Sequence, residues 1–368
     1  MRISKPRRGM RNAASILTAL AASALAACGV SQSTSPPSVT SKPVTHGTAA
    51  SRASASSQSS TAPTALASRG FRGISQPSPL PNVPDNLVTQ LSCTPEGFCA
   101  FVDQQGDVWT LSGRNWSGPS PTGLSLTTGV VCATKTFCVA YGEEGTAEEA
   151  SVYDGSRWTP VLYPGTGALD SISCPSQNFC MAVDGDGYAA TLNGATWSQP
   201  VAVVAGNGTG TGLSLEDVSC PNATFCMALD SSGNSQRWSN GSWTPAGMSV
   251  GPNALSDVPQ LLSCPTATFC AAVDGFGGAY TWNGTAWTSQ QVTGSTELEA
   301  IDCPQAGICA AVGGSGGVGN DASLANGTWT VHQGVSPNEQ LTAVACGLNL
   351  SCLEVSAYGH VRAVGIGA

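Results

Sequence analysis

Fourteen of the fifteen cysteines fall into seven pairs with one spacing, C-x5-C: Cys93/Cys99, Cys132/Cys138, Cys174/Cys180, Cys220/Cys226, Cys264/Cys270, Cys303/Cys309 and Cys346/Cys352. The first cysteines of successive pairs are 39, 42, 46, 44, 39 and 43 residues apart. A recurrence this regular means copies of one structural unit, each placing its cysteines alike. Other positions keep the register. A Gly stands seven residues after every second cysteine, at Gly106, Gly145, Gly187, Gly233, Gly277, Gly316 and Gly359. A Trp ends six of the seven units, at Trp116, Trp158, Trp197, Trp243, Trp287 and Trp329. Before most of these Trp comes a Gly-containing pair, four times Asn-Gly (Asn193-Gly194, Asn240-Gly241, Asn283-Gly284, Asn326-Gly327). Asn-Gly between apolar runs signals a tight hairpin, because both residues tolerate positive φ.

One unit reads as four strands. In the third, the first strand ends over Ser171 to Cys174, and Pro175 to Asn178 turn the chain. Phe179 to Val183 form the second strand, Asp184 to Gly187 the next turn, Tyr188 to Leu192 the third strand and Thr196 to Val203 the fourth. A period near 42 matches one four-stranded propeller blade. The 44 Gly, 23 Pro and 10% charged residues exclude a helical bundle. The expected fold is all-β, a seven-bladed β-propeller over residues 70–368. The seventh unit lacks a fourth strand. The stretch Phe71 to Pro77 resembles the fourth strand at Ala195 to Pro200, with Ile74 at the Trp position, and is expected to complete that blade and close the ring. Units of the form S-C-P-x-x-x-F-C-x-A-V-D-x-x-G…N-G-x(1–2)-W resemble the β-propeller repeats of secreted proteins from high-GC Gram-positive bacteria. The resemblance implies a fold and no particular activity.

The paired cysteines are expected to form one disulfide within each unit, across the turn between its first two strands. The rival chemistries are metal binding and redox exchange; zinc sites usually need C-x2-4-C pairs and four ligands, whereas these pairs have wider spacing and no recurring His, and no metal or cofactor is expected.

The N-terminus reads as an address. Residues 1–27 carry Arg2, Lys5, Arg7, Arg8 and Arg11, then an apolar run from Ala13 to Ala27 too short for a good spanning helix. The run ends in Leu25-Ala26-Ala27-Cys28, which resembles a bacterial lipobox. That resemblance implies cleavage before Cys28 and a diacylglycerol on its thiol, tethering an exported protein to the outer face of the cell membrane. Residues 29–69 have no acid, no aromatic and one Leu, so residues 28–69 read as a disordered Ser/Thr/Ala/Pro-rich tether. Without the five basic residues of the leader, nine of the 14 Lys and Arg face 23 acids. That balance excludes sequence-independent nucleic-acid binding.

Catalytic signals are weak: only His332 and His360 lie in the propeller, and Gly313-Gly314-Ser315-Gly316-Gly317 lacks the strand-to-helix context of a nucleophile elbow. An Asp follows the second cysteine by four residues in four units, at Asp103, Asp184, Asp230 and Asp274. These carboxylates could form an acidic ring binding a cation or basic ligand, or cap their own turns. Glu143, Glu144, Glu148 and Glu149 add an acidic turn in the second unit. Together these eight residues mark a candidate ligand face. The functional expectation is a lipid-anchored, monomeric binding module for a protein or glycan. An extracellular glycoside hydrolase or lyase using face carboxylates, or a structural envelope protein, are the alternatives.

Overall fold

The computed structural model describes residues 88–366 except 104, 114, 145–146, 205–211, 248–258, 260, 293–296 and 348–349, plus the backbone of Ser78–Pro79. Residues 1–77, with the signal segment, Cys28, the tether and the 71–77 stretch, lie outside the described residues, as do the side chains of 143–149.

The chain is an all-β, seven-bladed propeller. Seven antiparallel sheets follow one another along the chain, each of four strands, in sequence order in the first six; in the third, the outermost is broken in two, and in the seventh it is the N-terminal Ser78–Pro79. The first strands of the blades adjoin in a closed ring, the seventh (Leu341–Cys346) meeting the first (Val88–Cys93). In the third blade the strands are Leu169–Ser176, Phe179–Asp184, Tyr188–Asn193 and Thr196–Trp197 with Val201–Ala202. The first strand thus runs two residues past Cys174, and Ser176 pairs with Phe179 across a bulge. The fourth strand breaks ahead of Val201 because Pro200 has no N–H to donate. Prolines stand on outermost strands at Pro79, Pro121, Pro160 and Pro245, where a missing donor costs the ladder nothing.

All seven C-x5-C pairs are bonded within their own blade: Cys93–Cys99, Cys132–Cys138, Cys174–Cys180, Cys220–Cys226, Cys264–Cys270, Cys303–Cys309 and Cys346–Cys352, with Cα–Cα distances of 3.9–4.1 Å. The two cysteines of a pair are not equivalent in burial. The second ones, Cys99, Cys138, Cys180, Cys226, Cys270, Cys309 and Cys352, sit on the second strands and are 0–1% exposed. They are core residues, and their sulfurs are packed into the frame. The Gly seven residues on takes φ of 84°, 83°, 76°, 82°, 63° and 79° at Gly106, Gly187, Gly233, Gly277, Gly316 and Gly359. A side chain there would be strained, which is why the position repeats. The Trp of blades one to six packs against the blade before it: Trp197 meets Tyr163 edge-on at 5.2 Å, and Trp158 and Trp243 join the clusters shared with blades one and three.

The blades are also joined by hydrogen bonds the repeat encodes. In five blades the side chain before the first cysteine accepts the N–H of the first cysteine in the following blade. Ser92 serves Cys132, Ser173 serves Cys220, Ser219 serves Cys264, Ser263 serves Cys303, and Asp302 serves Cys346, at 2.7–3.0 Å. Val131 and Ala345 stand where blades two and seven would supply this acceptor. Gln90 and Asp217 add a second rung, accepting from Val130 and Leu262 at 2.8 Å. Innermost strands of neighbouring blades do not share a ladder, so these groups take up N–H donors otherwise buried without partners.

The seventh blade closes with an N-terminal strand. Ser78 pairs with Val361 and Pro79 with His360, so the third strand His360–Gly365 is flanked on both sides.

Candidate functional site

Two kinds of turn emerge on each end of an up-and-down ring. The cysteine and Asn-Gly turns share one end. The turns between second and third strands share the other with the blade-to-blade connections, and here the blades differ.

Asp103, Asp184, Asp230 and Asp274 come to one equivalent position at this end, each 0–1% exposed. In each, Oδ1 accepts two backbone N–H groups of its own turn at 2.7–3.0 Å: Gln105 and Asp107, Asp186 and Tyr188, Ser232 and Asn234, Phe276 and Gly278. The Oδ2 of Asp184 and of Asp274 accepts a tyrosine hydroxyl, from Tyr163 at 2.9 Å and Tyr280 at 3.0 Å. Ser356 does the same work in blade seven, its Oγ accepting from Tyr358 and His360. These side chains hold the turns.

Blades two and six have Gly142 and Gly313 at this position. A Cβ there would lie 1.9 Å from Leu126 O and 2.0 Å from Glu297 O. The second strand does not turn but continues, so the three additional residues extend a hairpin. The acidic stretch read as a turn over 143–149 is therefore mostly ladder: the strands Phe137–Glu144 and Ala147–Tyr153 set Glu143 opposite Glu148, and Gly142 opposite Glu149. The tips of the short turns also differ. Phe276 in blade five and Tyr358 in blade seven occupy equivalent places and are 59% and 56% exposed.

A constellation not anticipated from the sequence lies between blades six and seven. Glu354, on the second strand Ser351–Ser356, pairs across the sheet with Arg362 on His360–Gly365. Asp321, on Val318–Ala325, pairs likewise with His332 on Thr328–Ser336. Arg362 ties the two pairs together. Its Nε donates to Glu354 Oε2 at 2.5 Å, its Nη2 to Asp321 Oδ2, and its Nη1 to the Val335 carbonyl at 3.3 Å. His332 Nδ1 lies 2.6 Å from Asp321 Oδ1. Asp321, His332 and Glu354 line a cleft of about 210 Å³ whose other walls are Ala310, Ala322, Ser323, Val364, Gly365 and Ile366. Glu354 is 1% exposed and Asp321 8%. Burial pushes the Glu354 carboxyl up to about 7, against the opposing pull of Arg362.

The repeat did contain the signal. Two residues after each second cysteine come Phe101, Ala140, Ala182, Ala228, Ala272, Ala311 and Glu354. A single carboxylate at a position otherwise apolar is an outlier that one-chain alignment of the units exposes. The other His, His360, bonds Glu339 at 2.7 Å. Among the described residues no group of three His, Cys, Asp or Glu is placed to hold a metal ion.

Buried acids give the ring a definite pH response. Burial raises Asp302 to about 6, and Glu299 and Glu354 to about 7, with Glu297 adding to Glu299. An acid whose folded pKa exceeds its unfolded one binds its proton more tightly when native. Its stabilisation is complete below the unfolded value and is lost as pH rises through the folded one. Melting temperature should peak near pH 5 and drop by at least about 5 °C by pH 7.5, with Asp302→Asn removing part of the slope. A flat or rising profile over that window would contradict the burial of these groups.

No protein-family model matches the chain, and no curated protein matches its sequence. Solved structures are similar in fold. Virginiamycin B lyase from Staphylococcus aureus superposes with a TM-score of 0.62 at 8% identity, over 80% of this chain and 98% of that one. YCF48 bound to D1 peptide gives 0.59 at 14% identity, over 79% and 94%. The WD40 β-propeller domain of Doa1 gives 0.59 at 14% identity, over 80% and 97%. These proteins have varied roles, and at such identities what they share with this chain is the propeller.

Proposed function

We propose that the chain is a lipid-anchored cell-surface binding module whose ligand, a protein, peptide or glycan, meets the end bearing the turns between second and third strands. The observation that carries this reading is the division of labour between the two ends. The disulfide turns hold one end to a common pattern. At the other, blades two and six extend hairpins, and blades five and seven expose Phe276 and Tyr358 at equivalent tips. Variable, aromatic-bearing loops on a cross-linked frame are the usual arrangement of a recognition surface. The lipobox-like Leu25-Ala26-Ala27-Cys28 and the long polar segment after it support display away from a membrane. That YCF48 binds D1 peptide supports a peptide as one ligand class for this scaffold. The hydrolase alternative is weakened where it was first placed, because the four turn aspartates direct their oxygens at their own backbone.

The test uses the mature chain made soluble by Cys28→Ser. A photo-crosslinking residue at Phe276 or Tyr358 should capture a partner from native envelope, and one at Asn240 or Asn326 should not. Replacing Glu143, Glu144, Glu148 and Glu149 by Lys should weaken capture at least about tenfold if the ligand is basic. Equal capture from both ends would overturn the assignment.

A further inference from the structure

The cleft between blades six and seven has a chemistry of its own. Asp321 accepts from Arg362 at its Oδ2, and its Oδ1 takes the Nδ1–H of His332. With Nδ1 as the donor, the neutral form of His332 presents a lone pair at Nε2. Among the described residues no hydrogen bond reaches Nε2, and none reaches Glu354 Oε1, since Arg362 holds Oε2. Both His332 and Glu354 line the cleft. The site therefore offers two acceptors, with the Ser323 hydroxyl beside them able to donate or accept. Two carboxylates share the single Arg362, so the site has one negative charge in excess when both are ionised and His332 is neutral. Its remaining walls are Ala310, Ala322, Ser323, Val364, Gly365 and Ile366, apolar apart from the Ser323 hydroxyl. A ligand that fits has at least two N–H or O–H donors, a positive charge and a short hydrocarbon body.

We propose that this cleft binds a small primary ammonium ion, whose N–H groups donate to His332 Nε2 and Glu354 Oε1 while its alkyl part lies against the apolar walls. The volume of about 210 Å³ limits the body to a few carbons. The elevated proton affinity of Glu354 accords with this. The groups facing it are Arg362, Asp321 and His332, and burial among them leaves its carboxyl partly protonated near neutrality. A bound ammonium supplies the charge that the proton otherwise supplies and displaces it. The proposal is independent of where the face ligand binds.

The experiment is calorimetric titration of the mature Cys28→Ser chain at pH 7 with butylammonium, 1-butanol and tetramethylammonium. Butylammonium should bind in the millimolar range, as its few heavy atoms allow. The alcohol lacks the charge and tetramethylammonium lacks N–H donors, so each should bind at least about tenfold more weakly. Binding should release a fraction of a proton, read as a dependence of the heat on the ionisation enthalpy of the buffer. Glu354→Gln should abolish both affinity and proton release. Should that variant fail to fold, His332→Ala decides. The His332 side chain is 55% exposed on an outermost strand, and its loss should weaken butylammonium at least about fivefold. Equal binding of the alcohol or of tetramethylammonium, unchanged affinity in His332→Ala, or no binding at tens of millimolar would each overturn the proposal.

Discussion

Reduction of the seven disulfides should unfold the propeller. Each closes a seven-residue loop, for which the loss of chain entropy in the unfolded state is roughly 2 kcal/mol. Seven such loops contribute about 15 kcal/mol, as much as the whole stability of an ordinary domain. The packing that remains has little to offset the loss. The innermost layers are largely Ala, Val, Ser and the cysteines themselves. Burial of the second cysteines, from Cys99 in blade one to Cys352 in blade seven, sets the kinetics. Reductant acts only after local opening, and the experiment needs mild denaturant or heat. Melting of the reduced, alkylated chain should be lower by more than about 20 °C or lose cooperativity. Removing one pair, as in Cys93→Ala with Cys99→Ala, should cost about 2 kcal/mol plus the packing of the two sulfurs. A reduced protein that melts within about 5 °C of the oxidised one would mean that packing, not cross-linking, holds the blades.

The parts of the fold legible in the sequence were those forced by covalent or backbone constraints. Cysteine spacing, the positive-φ glycines and the Trp register need no knowledge of neighbours, and each took its expected place. What spacing left open was how deep each sulfur lies, since burial of Cys138, Cys180, Cys226, Cys270 and Cys309 depends on the blade packed alongside. The Asn-Gly signal was coarser than it looked. Where one residue separates Gly from Trp, both turn residues take positive φ, as at Asn240-Gly241 and Asn326-Gly327. With two residues between, the loop shifts. Asn193 then pairs with Thr196, and Asn283 turns its side-chain oxygen to Thr285 and Ala286 instead. The Ser before the first cysteine belongs to the repeat in four units, but its role depends on a partner some 40 residues away in the next blade. Periodicity within one unit cannot reveal that partner. The charged cleft was hidden for the same reason. Glu354 and Arg362 are eight residues apart, yet Asp321 reaches them only because two blades face each other. Sequence weighting favoured the repeated acids, whereas repetition itself marks a structural duty. The departures from the repeat, Glu354 and the hairpins of blades two and six, mark where this propeller differs from a bare scaffold.

Removing the N-terminal strand should destabilise the whole ring, although it contributes only Ser78–Pro79 to the described ladder. The argument rests on what that strand covers. Without it, blade seven keeps three strands and His360–Gly365 becomes an unpaired edge. That edge strand carries Arg362, which joins blade seven to blade six through Asp321 and to its own second strand through Glu354. Fraying there would leave two buried carboxylates without their cation, which costs several times more than a lost surface pair. A closed ring transmits the damage, because blade seven also meets blade one through the cluster containing Ala343, Leu353, Phe101 and Trp109. Deleting residues 29–69 should shift melting by less than about 2 °C, whereas deleting 29–79 should lower it by at least about 10 °C. The exposed edge should also recruit another chain, so the longer deletion should self-associate with rising concentration. A peptide spanning residues 70–82, added in trans, should restore the monomer and raise the melting temperature. Equal melting of the two deletions, or a longer deletion that stays monomeric and indifferent to the peptide, would show that three strands suffice and that the ends of the chain do not lock the ring.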